Sequence, residues 1–140
     1  MTQPLIINSP MTTPPPVGKL SILQHLVGSY KLWIDIKNHI PISVRHTLAG
    51  KIEHLPLETL EHVFIAQYSK REKKISVLQS ALTSWDTFKF FLQIAWETKN
   101  LPTKHYEHIS LEANTIGKML WSWKQSLENK TPASAGDYQQ

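Results

Sequence analysis

Cysteine is absent from this 140-residue chain, which excludes a disulfide framework and any thiolate metal site. Glycine is scarce, with 5 in all. No apolar run reaches the ~18 residues that a membrane-spanning helix needs. The N-terminal stretch has no basic segment followed by an apolar one, so it does not read as a secretory signal. Familiar enzyme signatures are missing too: no glycine-rich phosphate loop, no HExxH, and no Ser or Cys nucleophile in a recognisable setting. Together these absences predict a soluble, cytoplasmic protein with no membrane association and no cofactor, one that binds other macromolecules instead of catalysing a reaction.

What is present is basic and helical. Fifteen Lys+Arg against 11 Asp+Glu leave a formal charge of +4, a balance that favours polyanions or acidic partner surfaces. Residues 1–18 carry no ionisable side chain and five of the nine prolines. They read as a disordered proline-rich tail, and 130–140 as a second disordered tail. Between them, apolar residues recur every three or four positions, predicting helices over 19–39, 44–68, 70–99 and 103–128. An all-α, antiparallel up-down-up-down four-helix bundle over 19–129 follows from four amphipathic segments with short connections. Ser43 is placed to cap the second helix. Pro56 falls inside that helix while the apolar stripe keeps its phase, which predicts one kinked helix, with two shorter helices as the alternative. Ser69 and Glu72 have capping-box spacing at the start of the third.

Three constellations stand out. The first is Lys70, Arg71, Lys73 and Lys74, at the joint between helices two and three. Lys73 and Lys74 occupy a first helical turn, where positive charge is disfavoured. A broken local rule marks either a binding surface or a tolerated, solvated run of lysines. Lys31, Lys37, Arg45 and Lys51 form a second, more scattered basic group around the other end. The second constellation is histidine. His105 and His108 are spaced to meet on one helix face, but carboxylates from facing helices would also be needed, so they read as a solvated face and no metal site is expected. The third is aromatic excess: Trp85, Phe88, Phe90, Phe91 and Trp96 share one helix, and Trp121 and Trp123 another. One bundle-facing stripe cannot bury them all. The surplus points to a homo-oligomer, or else to a thick monomeric core.

The run Pro41-Ile42-Ser43-Val44-Arg45-His46-Thr47-Leu48-Ala49-Gly50-Lys51-Ile52-Glu53 carries a family signature. So does Tyr106-Glu107-His108-Ile109 with Ile116-Gly117-Lys118-Met119-Leu120-Trp121-Ser122-Trp123. Over roughly residues 20–128 the chain resembles the Avd family, the accessory variability determinants of diversity-generating retroelements, which shares a four-helix bundle with the ribosomal intervening-sequence proteins. The resemblance implies a non-catalytic homopentamer that binds the retroelement's reverse transcriptase and template RNA to support mutagenic cDNA synthesis. An intervening-sequence-type structural bundle without a polymerase partner is the alternative.

Lys70, Arg71, Lys73, Lys74, Lys37, Arg45 and Lys51 are then the candidate nucleic-acid or polymerase contacts. Arg45 alternatively forms a structural ion pair with Glu53 or Glu107. Gly50, Phe90, Phe91, Gly117 and Trp121 are candidates for an oligomer interface or close helix packing. Ala49, Pro56 and Trp121 depart from the family pattern.

Overall fold

A computed structural model describes the chain over residues 17–135, with side chains described over 21–129. Apart from 17–18 and 130–135, the two expected tails lie outside the described residues. Four helices account for most of what is described, with no strand among these residues: α1 (Val17–Lys37), α2 (Leu48–Gln67), α3 (Arg71–Glu97) and α4 (Thr103–Ala135). The all-α four-helix bundle expected from periodicity is the fold. Helix α1 packs on α2 and α4, and α3 packs on α2 and α4. This leaves α1 diagonal to α3, and α2 diagonal to α4.

Specific side chains set how the helices run. Between α3 and α4, Arg71 meets Leu127, Trp85 meets Ala113, and Trp96 meets Thr103. One residue number falls as the other rises, so the two helices run in opposite directions. Between α2 and α3 the pairs Thr59–Ser84 and Lys51–Phe91 show the same order. Between α1 and α4 the pairs His25–Glu112 and His39–His105 do so too.

The core is filled by the apolar stripes. Trp33, Trp85 and Phe88 are its largest fully buried side chains, joined by Leu26, Ile52, Leu78, Leu92, Ile109 and Ile116. Each such residue contributes ~1.5–3 kcal/mol over its exposed state. Some polar atoms taken into this core are bonded, while Ser29 Oγ and Trp33 Nε1 are buried without a hydrogen-bond partner. The Trp85 indole N–H donates to the Ala113 carbonyl at 2.8 Å. The hydroxyls of Thr59 and Ser84 meet at 3.0 Å between α2 and α3.

Helix α2 passes through Pro56 as one element, not two. The proline has no N–H for the Ile52 carbonyl, but its ring is buried. That burial offsets part of the ~3 kcal/mol that an interior proline costs.

Helix ends depart from the sequence expectation. Ser43 does not cap α2. It sits in a short 3-10 turn, Ile42–Val44, and α2 starts four residues later behind Thr47, with no side-chain cap bond. The Pro41 ring starts this turn, and Val44 N–H closes it on the Pro41 carbonyl at 3.1 Å. The Ser69–Glu72 capping box is also not formed. The Ser69 hydroxyl donates backward to the Ile65 carbonyl at 2.8 Å, finishing α2 instead of starting α3.

The α3–α4 connection is closed by backbone hydrogen bonds onto the last turn of α3. Asn100 N–H bonds the Ala95 carbonyl at 2.8 Å, and Lys99 N–H bonds that of Trp96 at 3.0 Å. This is the Schellman pattern, which needs one left-handed residue. Lys99 takes that role with φ 65°, where a side chain is unfavourable and glycine is usual. Lys99→Gly is expected to raise stability by ~0.5–1 kcal/mol, because relief of left-handed strain exceeds the added unfolded-state entropy. Urea denaturation of the two proteins checks this, and an unchanged or lower midpoint contradicts it.

Candidate nucleic-acid and partner interface

The joint between α2 and α3 is short. Tyr68 ends α2, and Lys70 stands at the N-terminal boundary of α3 in extended conformation, φ −70° and ψ 161°. Its carbonyl receives the Lys74 N–H at 2.7 Å, which starts the helix. Lys70, Lys73 and Lys74 therefore fall within one helical turn, where residues three and four apart are neighbours. Lys70 and Lys73 are exposed and Lys74 is half-buried. None of the three makes an ion pair with another described residue. Glu72, the acidic residue in this turn, suits the helix N-terminus.

Arg71 differs from its three neighbours. Its guanidinium donates to the Leu127 carbonyl on α4 at 3.0 Å, and its Nε is buried without a hydrogen-bond partner. Arg71 ties the start of α3 to the last part of α4 and does not stand free at the surface.

The second basic group, near the opposite end of the bundle, is similarly divided. Lys37 donates to Glu53 at 2.7 Å, linking α1 to α2. Arg45 pairs with neither Glu53 nor Glu107. Its Nε donates to the Ile40 carbonyl and its Nη2 to the Asn38 carbonyl, both at 3.1 Å. Those carbonyls follow the end of α1 and have no helical partner, so a cation fits there. Lys51 is exposed and lies 6.0 Å from the centre of the Phe91 ring. Arg45→Ala is expected to cost about 1–2 kcal/mol by freeing those two carbonyls, with helical content retained. A urea midpoint unchanged from the parent would contradict this role.

The aromatic surplus is partly absorbed. Trp85, Phe88 and Trp123 are buried, and Trp96 stacks on Tyr106 at 4.8 Å and bonds Thr103 at 3.0 Å. Phe91 is half-buried, edge-on to Phe90 at 5.3 Å. Phe90 and Trp121 remain 54% and 56% exposed and Trp96 36%, so these three residues carry the unburied excess. Gly117 faces α3, where a Cβ would lie 3.7 Å from Lys89 Nζ and 3.8 Å from Trp85 Cδ1. Gly50 is exposed, with only the Arg45 carbonyl within reach, at 3.7 Å. Both positions have ordinary room for a methyl group within one chain.

Sequence reasoning did not find two features. One is a groove along α3 and α4, where Lys89, Asn114, Gly117 and Lys118 lie between the exposed Phe90 and Trp121. Its signal was the i, i+3 and i, i+4 spacing of Asn114, Gly117, Lys118 and Trp121. The other is the stack of His39 on His105, ring centres 4.6 Å apart. It joins the end of α1 to the start of α4, and nothing local announces a contact 66 residues apart in the chain. Partial burial of His105 comes first among the causes that lower its pKa from the ordinary 6.5, followed by the positive charge of His39, Lys104 and His108. Among the described residues no group of three or more His, Asp or Glu side chains could hold a metal ion.

The lowered pKa has a definite sign. The fold favours neutral His105, so its contribution is complete above about 6.5 and declines as pH falls through that value. His105→Phe keeps a ring against His39 and removes the proton site. The variant should lose less stability than the parent between neutral pH and mildly acid pH. Equal acid sensitivity in thermal melts of both proteins would contradict the role given to this pair.

These surfaces define the class: a helical bundle that carries Lys70, Lys73 and Lys74 at one helix joint and unburied aromatics along one side. The chain matches the bAvd-like family over residues 22–127. It belongs to that family, so it is an Avd-type accessory protein. No curated protein matches it.

Proposed function

We propose that this protein is a non-catalytic accessory factor of a diversity-generating retroelement, binding the reverse transcriptase and the template RNA to support mutagenic cDNA synthesis. The match over residues 22–127 carries this reading. The α2–α3 joint supplies the contact. Lys70, Lys73 and Lys74 lie within one turn on a supported helix end, with Arg71 holding that end against α4. Lys51 adds charge at the other end, while Lys37 and Arg45 mainly serve the fold. Repetition of the joint in a homo-oligomer, a pentamer by family resemblance, raises avidity without a new kind of contact.

The triple variant Lys70→Glu, Lys73→Glu and Lys74→Glu should keep its helical circular dichroism and lose co-purification with the polymerase and RNA. If three phosphate contacts are lost, the slope of log affinity against log salt falls by about 2 for a single strand. Arg71→Ala should instead lower stability first. Undiminished binding by the triple variant at physiological salt would remove the joint as the contact. Failure of the unmutated protein to bind its polymerase would favour an intervening-sequence-type bundle.

A further inference from the structure

Two sides of the bundle are chemically complementary. The first is the outward face of α2. At 100° per residue, Leu57, Glu58, Glu61, Ile65 and Tyr68 fall within a 120° arc, opposite the buried Ile52, Thr59, Val63 and Ala66. Leu57, Ile65 and Tyr68 are 42%, 37% and 52% exposed. From Ile52 to Gln67 this helix has no Lys or Arg. The face mixes apolar side chains with the two carboxylates and the exposed His54, and Glu58 lies 3.9 Å from His62.

The second is the α3–α4 groove, two adjoining hollows of about 310 and 320 Å³ that share Asp86, Lys89 and Asn114. Trp121 and Phe90 stand at its sides and Lys118 on its rim, with Gly117 keeping it open above Trp85. Two lysines against one aspartate make it basic. Exposed Trp and Phe beside a few polar groups are typical of the strongest contacts in protein interfaces. The groove is long enough to take the face: Leu57 to Tyr68 spans about 16 Å of helix and Tyr106 to Trp121 about 22 Å.

We propose that α2 of one copy of this chain seats in the α3–α4 groove of a second copy, with Glu58 and Glu61 against Lys89 and Lys118. The inference rests on the reading of the protein as a homo-oligomer and names the surfaces that build it. The two faces share no residue, so the pairing is head to tail. Each copy uses both, and the assembly closes as a ring or continues as a filament. The groove suits a protein better than a nucleic acid, because Asp86 would oppose phosphate and two lysines are few for a strand. Lys70, Lys73 and Lys74 of the α2–α3 joint belong to neither face and stay open to other partners.

Opposite charge reversals test this by light scattering on the full chain. Glu58→Lys with Glu61→Lys reverses one face, and Lys89→Glu with Lys118→Glu reverses the other. Each double variant should remain helical and dissociate. Mixing the two should restore larger species, since each now presents a face that fits the other. Trp121→Ala should weaken self-association about 10-fold or more. If the parent protein is monomeric at the highest concentration reached, the homo-oligomer reading itself fails. If the parent associates and neither reversal changes its mass, or mixing restores nothing, the oligomer stands and these faces are wrong. Unchanged mass with loss of RNA binding in Trp121→Ala would assign the groove to nucleic acid and overturn the proposal.

Discussion

The antiparallel clamp between α3 and α4 is the contact on which the other features depend. Three side chains set it at spaced points: Arg71 on the Leu127 carbonyl, Trp85 on the Ala113 carbonyl, and Trp96 on Thr103 with its ring on Tyr106. The central bond is fully buried, so a slip in register would leave an indole N–H without a partner in a dry core, costing about 1–3 kcal/mol. The clamp positions two surfaces at once. At one end it holds the start of α3, where Lys70, Lys73 and Lys74 sit. Along its length it forms the groove between Phe90 and Trp121.

Positive charge is divided by task. Arg45 completes the end of α1, Arg71 joins α3 to α4, and Lys37 pairs with Glu53. In each case the cation faces a carbonyl or carboxylate on a neighbouring segment. Arginine suits the two carbonyl sites because its fork donates in more than one direction. The lysines at the α2–α3 joint have no such partner among the described residues, and Lys70 and Lys73 are exposed to solvent. A formal charge of +4 therefore understates how concentrated the uncommitted charge is.

Most of the fold was legible in the chain. The stripes through Leu78, Leu82, Trp85, Phe88 and Leu92, and through Ile109, Ala113, Ile116 and Leu120, are buried as the 3.6-residue period requires. Pro41 and Pro102 mark the breaks, since proline disfavours helix in the residue before it, a preference that α2 overrides at Pro56. Capping was read less well. Ser43 falls in a 3-10 turn ahead of α2, and the Ser69 hydroxyl donates to the Ile65 carbonyl instead of capping α3. The site was half legible. Basic residue types at the joint were visible, but Arg71 could not be told from Lys70 until α4 lay beside it.

Periodicity, proline placement and charge determined by themselves that this chain forms four helices and carries a basic joint, because those properties depend on residues within a few positions of each other. The family signature added what kind of protein it is. Tertiary structure alone decided which cations are committed to backbone carbonyls, that His39 stacks on His105, and that Phe90 and Trp121 border one groove. Each of these depends on which atoms approach from a helix distant in the chain, and local spacing does not encode that.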